Sequence, residues 1–222
     1  MSEKKLNKVS EQIRNNNNVD VISKINNVTD EKGLKQSFDE LLDHYGGLDI
    51  MISNAGNAFQ GPIGQIDLNI LRKSFELNFF SHQILASLAV DIFLKQESGG
   101  VLLFNASKAA FNHGKNFGPY AIPKAAIVAL TKQYALDYGS FGIRSNAINA
   151  DRIRTDLFSN EFIEERAKSR GLSSENYFKS NLLQQEVFDT DVAKGFLDLS
   201  LAEKTTGSIL TIDGGNISAS PR

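Results

Sequence analysis

A tyrosine and a lysine stand four residues apart, Tyr120 and Lys124 in PYAIPKAA (119–126), where an apolar helix begins. On an α-helix, positions i and i+4 share a face, so the phenol and the ammonium group can point into the same space. An ammonium beside a phenol favours the phenolate and lowers the tyrosine pKa towards neutrality, which suits general acid–base chemistry. Alone the pair is a weak signal, because a chain with five tyrosines and many lysines produces that spacing by chance. Its surroundings strengthen it. Other polar residues fall just beyond apolar, strand-like runs: Asn54 after LDIMIS (48–53), Ser107 at the end of GGVLLFNAS (99–107), and Thr155 a few residues beyond IRSNAIN (143–149). In a parallel α/β sheet, chemistry gathers beyond the carboxyl ends of strands, and core packing asks for no polar residue there.

Short β-like runs alternate with longer helical patterns, which predicts an α/β fold with a parallel sheet. Residues 4–14 read as a polar helix ending at NNNN, and VDVISKI (19–25) as a strand. DEKGLKQSFDELLDHYG (30–46) carries Leu34, Phe38, Leu41 and Leu42 at helical spacing, with Asp30 as its cap. Further helices are predicted over 67–95, 119–138 and 189–202, and a last strand over GSILTID (207–213). No repeat or Pro/Gly-rich linker divides the chain, so a single domain over 1–222 is expected, with a charged, lid-like insertion at about 155–186. The insertion reads either as an amphipathic helix that closes over substrate or as an ordinary solvated one.

Composition narrows the function. A net charge of -2 gives no electrostatic footprint for nucleic acid or an anionic membrane. There are no cysteines, which excludes thiolate nucleophiles and Cys-ligated metals, and the three histidines lack metal-ligand spacing, so no metal site is expected. No uninterrupted apolar run reaches the ~20 residues of a membrane span, and the polar N-terminus is no signal peptide; a cytoplasmic protein is expected.

Asn54-Ala55-Gly56 after a strand, Asn78 in a helix, Ser107 thirteen residues before Tyr120, Lys124, and TIDGG at 211–215 together resemble the short-chain dehydrogenase/reductase family over residues 20 to 215. Within it, the stretch from Tyr120 to Phe158 and the segments downstream are similar to the C-terminal dehydrogenase half of bifunctional rhamnulose-phosphate aldolase/alcohol dehydrogenases. Two departures accompany the resemblance. Pro123 stands where most members have Ser, and Ala150-Asp151 where most have Pro-Gly. A proline in the first helical turn is tolerated, because its N–H is unpaired there anyway.

The resemblance implies a Rossmann-like doubly wound sheet and an NAD- or NADP-dependent exchange between an alcohol and a carbonyl on a small hydroxy-aldehyde or sugar-derived substrate. Tyr120 would be the general acid or base, and Lys124 would lower its pKa and hold the nicotinamide ribose. Ser107 would donate to the substrate oxygen, and Asn78 would hold a relay water. Asn54, Ala55, Gly56, Thr155 and Asn27 would meet the cofactor, Asn27 where the family has an aspartate. It also implies a homo-oligomer through the helices beginning near Asp67 and Tyr120. Beside these roles stand plainer ones: Ser107 as a strand-end cap, Asn78 as a helix residue bonded to backbone, Lys108, His113 and Lys115 as solvated loop residues, and Asp151–Arg152 as a surface pair.

The family begins with a strand, a Gly-rich turn, a helix and a second strand that this chain does not show, so a sheet truncated at its N-terminus is expected. No G-x-G-x-x-G occurs in the sequence. This leaves a second reading open: a catalytically silent remnant acting at most as an oligomerisation partner.

Overall fold

Four short apolar runs, each closed by turn residues, become the strands of one parallel sheet. In the computed structural model, which describes residues 3–155 and 159–216, these are β1 (Ile50–Ser53), β2 (Gly100–Asn105), β3 (Ile143–Ala150) and β4 (Ile209–Ile212), paired side by side in chain order. The helices are α1 (Glu3–Asn17), α2 (Glu31–Tyr45), α3 (Leu68–Phe75), α4 (Ser81–Gln96), α5 (Gly118–Tyr138), α6 (Asn160–Lys168), α7 (Ser174–Lys179) and α8 (Asp189–Leu201). The α/β class with a parallel sheet is as the alternation of patterns predicts, and its Rossmann-like character is as the family resemblance implies.

Two hydrophobic layers sandwich the sheet. On one face Ala86, Ala89, Val90 and Phe93 of α4 and Ile127 and Tyr134 of α5 pack on Met51, Leu102, Phe104 and Ala147. On the other, Phe196 and Leu199 of α8 pack on Val101, Leu103 and Ile148. β3 is buried along most of its length, as a strand covered on both faces must be. Its Arg144 holds α8 in place, donating to the carbonyls of Leu199, Ser200 and Ala202 at the helix C-terminus. Leu68–Gln96 is long and apolar enough to cross a membrane by composition, yet its apolar face lies against the sheet. β1 sits at the sheet's edge, and Ile50 and Ile52 on its open face are 42% and 50% exposed.

The N-terminal third departs from expectation. VDVISKI at 19–25 forms no strand; it runs as an irregular segment with Val19, Ile22 and Ile25 exposed. A strand needs a ladder partner for its N–H and C=O groups, and none lies beside it among the described residues. Polar ties along α1 and α2 hold it instead: Arg14 to the Val21 carbonyl, Asp20 to His44, Lys24 to Glu40 and Asn26 to Ser37. Exposed ion pairs of this kind contribute about 0–1 kcal/mol each, against about 1.5–3 kcal/mol for burying one side chain such as Phe104 or Leu103. α1 runs three residues further than expected and stops at Asn18, which takes the left-handed conformation (φ 50°) that asparagine tolerates. Asp30 occupies the N-cap of α2 but makes no side-chain capping bond.

Candidate active site

Beyond the carboxyl ends of β1, β2 and β3 opens a cavity of about 1130 Å³. Asn54, Gly56, Ser107, Tyr120 and Thr155, five of the residues singled out in the sequence, line it. Ser107 closes β2 and caps the short 3-10 turn that follows, accepting from the Ala109 N–H at 3.2 Å. Its expected plainer role as a cap therefore coexists with a place in the cavity wall. Its hydroxyl also lies close enough to the Tyr120 phenol to lower its pKa.

Burial nevertheless wins at Tyr120. Desolvation raises the phenol above its ordinary value, Ser107 opposes it, and the Asp151 charge raises it further. This reverses the depressed tyrosine pKa that the spacing to Lys124 suggests. Lys124 does not offset this. Lys124 is 2% exposed, lies 5.9 Å from the Tyr120 ring centroid, and donates to the Asn105 carbonyl at 2.7 Å. Burial brings its own pKa down to about 7, so near neutrality its charge is only partly present. At physiological pH the phenol keeps its proton, the form a general acid requires.

Lys124 and Asn78 stand directly behind the cavity wall. A Cβ added to Gly56 would lie 2.9 Å from Asn78 Oδ1 and 3.5 Å from Lys124 Nζ, so only glycine fits this close approach. Asn78 is fully buried within a π turn (Glu76–Phe80) that joins α3 to α4. Such turns often mark functional segments. Its Oδ1 accepts from the Asn57 N–H, and its Nδ2 donates to the Asn57 carbonyl and to Ser74 Oγ. Both of its N–H donors are thus committed to fixing the turn after β1.

Ser74 completes a connection the sequence reading missed. Pro123 lies at the sixth residue of α5, beyond the first turn, and its lack of an N–H leaves the Pro119 carbonyl without its helical donor. Ser74 Oγ donates to that carbonyl at 2.6 Å while accepting from Asn78 Nδ2 at 3.0 Å. One chain of hydrogen bonds therefore links the start of α5, where Tyr120 sits, to the Asn54–Asn57 turn. The available signal was Pro123 itself, since a proline inside a helix announces an orphaned carbonyl four residues back. His82 is the other missed residue: buried beneath the turn, it bonds Ser53 Oγ at 2.7 Å, and burial first, then the Lys124 charge, holds its pKa at about 3.

Two expected assignments change. Asn27 lies away from the cavity; its Oδ1 accepts from the N–H and hydroxyl of Thr29 in the turn into α2. Lys108 is not a solvated loop residue. It is largely buried, 3.6 Å from Asp151, which also meets Arg152 at 3.3 Å and Asn216. Asp151 and Arg152 are at once an ion pair and part of the cavity wall. Arg152, in the left-handed region at φ 52°, donates to the carbonyls of Tyr177 and Ser180 and stacks 4.7 Å from the Tyr177 ring. It thereby ties the end of β3 to α7.

The charged stretch at 155–186 forms α6 and α7; residues 156–158 lie outside the described residues. Phe162, Arg166 and Arg170 recur every four residues and all line the cavity, with Tyr177 and Phe178 from α7. The solvated-helix reading therefore fails for this face.

The matching family model, a short-chain dehydrogenase model described as enoyl-(acyl carrier protein) reductase, covers residues 1–216. The uncharacterized oxidoreductase YuxG of Bacillus subtilis (strain 168) is 31% identical over 196 residues, 85% of this chain; the chain spans 28% of that protein's length. The solved levodione reductase shares the fold with a TM-score of 0.89 at 22% identity, over 99% of this chain and 86% of that one. A 7α-hydroxysteroid dehydrogenase solved with NADH and 7-oxo glycochenodeoxycholic acid is 27% identical with a TM-score of 0.83, over 96% of this chain and 80% of that one. With a match that runs from residue 1 to 216 and a cavity framed by Ser107 and Tyr120, the protein belongs to the short-chain dehydrogenase/reductase family and is an oxidoreductase of the dehydrogenase/reductase kind.

Proposed function

We propose that the chain interconverts an alcohol and a carbonyl on a small hydroxy-aldehyde or sugar-derived substrate, using NAD or NADP, with Tyr120 as general acid and base. The observation that carries this reading is the meeting of Ser107 and Tyr120 on one cavity wall with the phenol held protonated. Thr155 on the same wall and Lys124 behind Gly56 fit the nicotinamide end of the cofactor, and the Asn54–Gly56 turn fits its adenosine half. The NADH in the 7α-hydroxysteroid dehydrogenase supports that choice. When bound, the nicotinamide supplies or accepts the hydride. In the reducing direction Tyr120 gives its proton to the carbonyl oxygen, and the Ser107 hydroxyl donates to the same oxygen as its charge develops. In the oxidising direction the phenolate takes the proton back, and the charged form of Lys124 favours that state.

The proposal extends to the bifunctional rhamnulose-phosphate aldolase/alcohol dehydrogenases. What supports it is that YuxG, the relative named above, is matched over 28% of its length, with this chain standing for one part of a longer protein. Exposed Phe80, Ile122 and Leu136 on the helices beginning near Asp67 and at Gly118 support assembly with a second copy. The test is titration of the chain with NADH and NADPH, following fluorescence and melting temperature together. Binding should raise the melting temperature, and Tyr120→Phe should abolish turnover while keeping binding. If neither nucleotide stabilises the folded chain, the reading fails, and the protein is a silent one that at most pairs with its own copy.

A further inference from the structure

The cavity wall beside Tyr120 carries more positive charge than the protein neutralises. Lys108, Arg152, Arg166 and Arg170 all line it. Asp151 is shared by Lys108 and Arg152, and among the described residues no carboxylate pairs with Arg166 or Arg170. The other carboxylate on the wall, Asp189, accepts from the Thr190 N–H at the start of α8. Arg166 Nε is buried without a hydrogen-bond partner. Its guanidinium lies 4.5 Å from the Phe117 ring, a contact that supports a cation without neutralising it. That ring in turn lies 6.5 Å from the Tyr120 ring, so one aromatic side chain separates the guanidinium from the phenol.

From this arrangement we infer that the substrate is an anion: an aldehyde, ketone or alcohol carrying a carboxylate or phosphate that Arg166 and Arg170 hold while its oxygen meets Tyr120. Guanidinium groups suit both anions because their paired N–H donors match two oxygens at once. The cations also repel one another. Burial and then Arg166 lower the pKa of Arg170, Arg152 adds to this, and Tyr177 and Asp151 oppose it without cancelling it; a bound anion would relieve the remaining repulsion. The inference rests on the oxidoreductase reading for the reacting end of the substrate, but not for the anion site itself.

Two measurements on the 222-residue chain separate these. The first is melting temperature in sodium phosphate and in sodium succinate, against sodium chloride at equal ionic strength. Phosphate or succinate should stabilise the chain where chloride does not, and both Arg166→Met and Arg170→Gln should diminish the shift; whichever anion acts names the group. The second is reduction of glyceraldehyde, glyceraldehyde 3-phosphate and succinic semialdehyde with NADH and NADPH. A charged aldehyde should be favoured in kcat/KM by about 10- to 100-fold, the range for hydrogen bonds to a charged group, and both variants should reduce that ratio. Stabilisation equal to chloride, or persisting in both variants, overturns the anion site. Arginine-dependent stabilisation without reduction of any aldehyde keeps the anion site and overturns the proposed aldehyde reduction at Tyr120.

Discussion

Ser74→Ala should be costly well beyond the loss of one small hydroxyl, and Pro123→Ser should repair part of the damage. Ser74 and Asn78 are both fully buried. Removing Oγ deprives the Pro119 carbonyl of its donor and Asn78 Nδ2 of an acceptor. Each buried polar group left unpaired costs about 1–3 kcal/mol, so with two such groups the variant should lose about 2–6 kcal/mol. For a chain of this size, that lowers the melting temperature by roughly 4–24 °C. A serine at 123 has the N–H that proline lacks and can satisfy the Pro119 carbonyl from within the helix. In the Pro123→Ser background, Ser74→Ala then orphans only one group, and its cost should shrink by about 1 kcal/mol or more. Thermal and urea unfolding of the four proteins measures the coupling directly. Equal costs of Ser74→Ala in both backgrounds, within about 0.5 kcal/mol, would refute the idea that this hydroxyl substitutes for the missing amide.

Gly56→Ala should lower both stability and turnover, because the new Cβ meets Asn78 Oδ1 at 2.9 Å and Asn78 is held by three hydrogen bonds; about 1–3 kcal/mol is expected from such overpacking, and wild-type melting and kinetics would sink it. Asp151→Asn should destabilise by about 1–3 kcal/mol, since it leaves Lys108 and Arg152 without their shared carboxylate in a largely buried site; chemical denaturation checks this. Stability should rise between about pH 7 and 9.5. Unfolded Lys124 keeps its proton to about 10.5 while the folded lysine releases it near 7, so the unfolded state binds more protons across that window. The slope is at most about 1.4 kcal/mol per pH unit, and Lys124→Met should flatten the rise in melting temperature.

The sheet was legible because β2 is an apolar run buried on both faces and the other strands are short segments closed by turn residues, and α4, α5 and α8 because their apolar residues cover the sheet. The cavity lining was legible as polar residues placed just after strands. What escaped depended on partners distant in sequence. The Ser74 bond to Pro119 spans 45 residues and the Asn78 bond to Asn57 spans 21, so neither appears as a local pattern. The direction of the Tyr120 shift escaped because spacing sets neighbours but not burial, and burial decided it. Residues 19–25 have the composition of a strand but no ladder to join, and composition cannot supply one.

The open side of β1 bears on how the protein behaves in solution. Among the described residues nothing pairs with the outer edge of Ile50–Ser53, and Ile50 and Ile52 leave it greasy as well as unsatisfied. Unprotected edges of this kind recruit unpaired segments from neighbouring molecules. The exposed stretch at 19–25, which joins no ladder here, offers one on every copy. Recovery after refolding should therefore fall as protein concentration rises, and dilute, cold handling will keep the most material monodisperse.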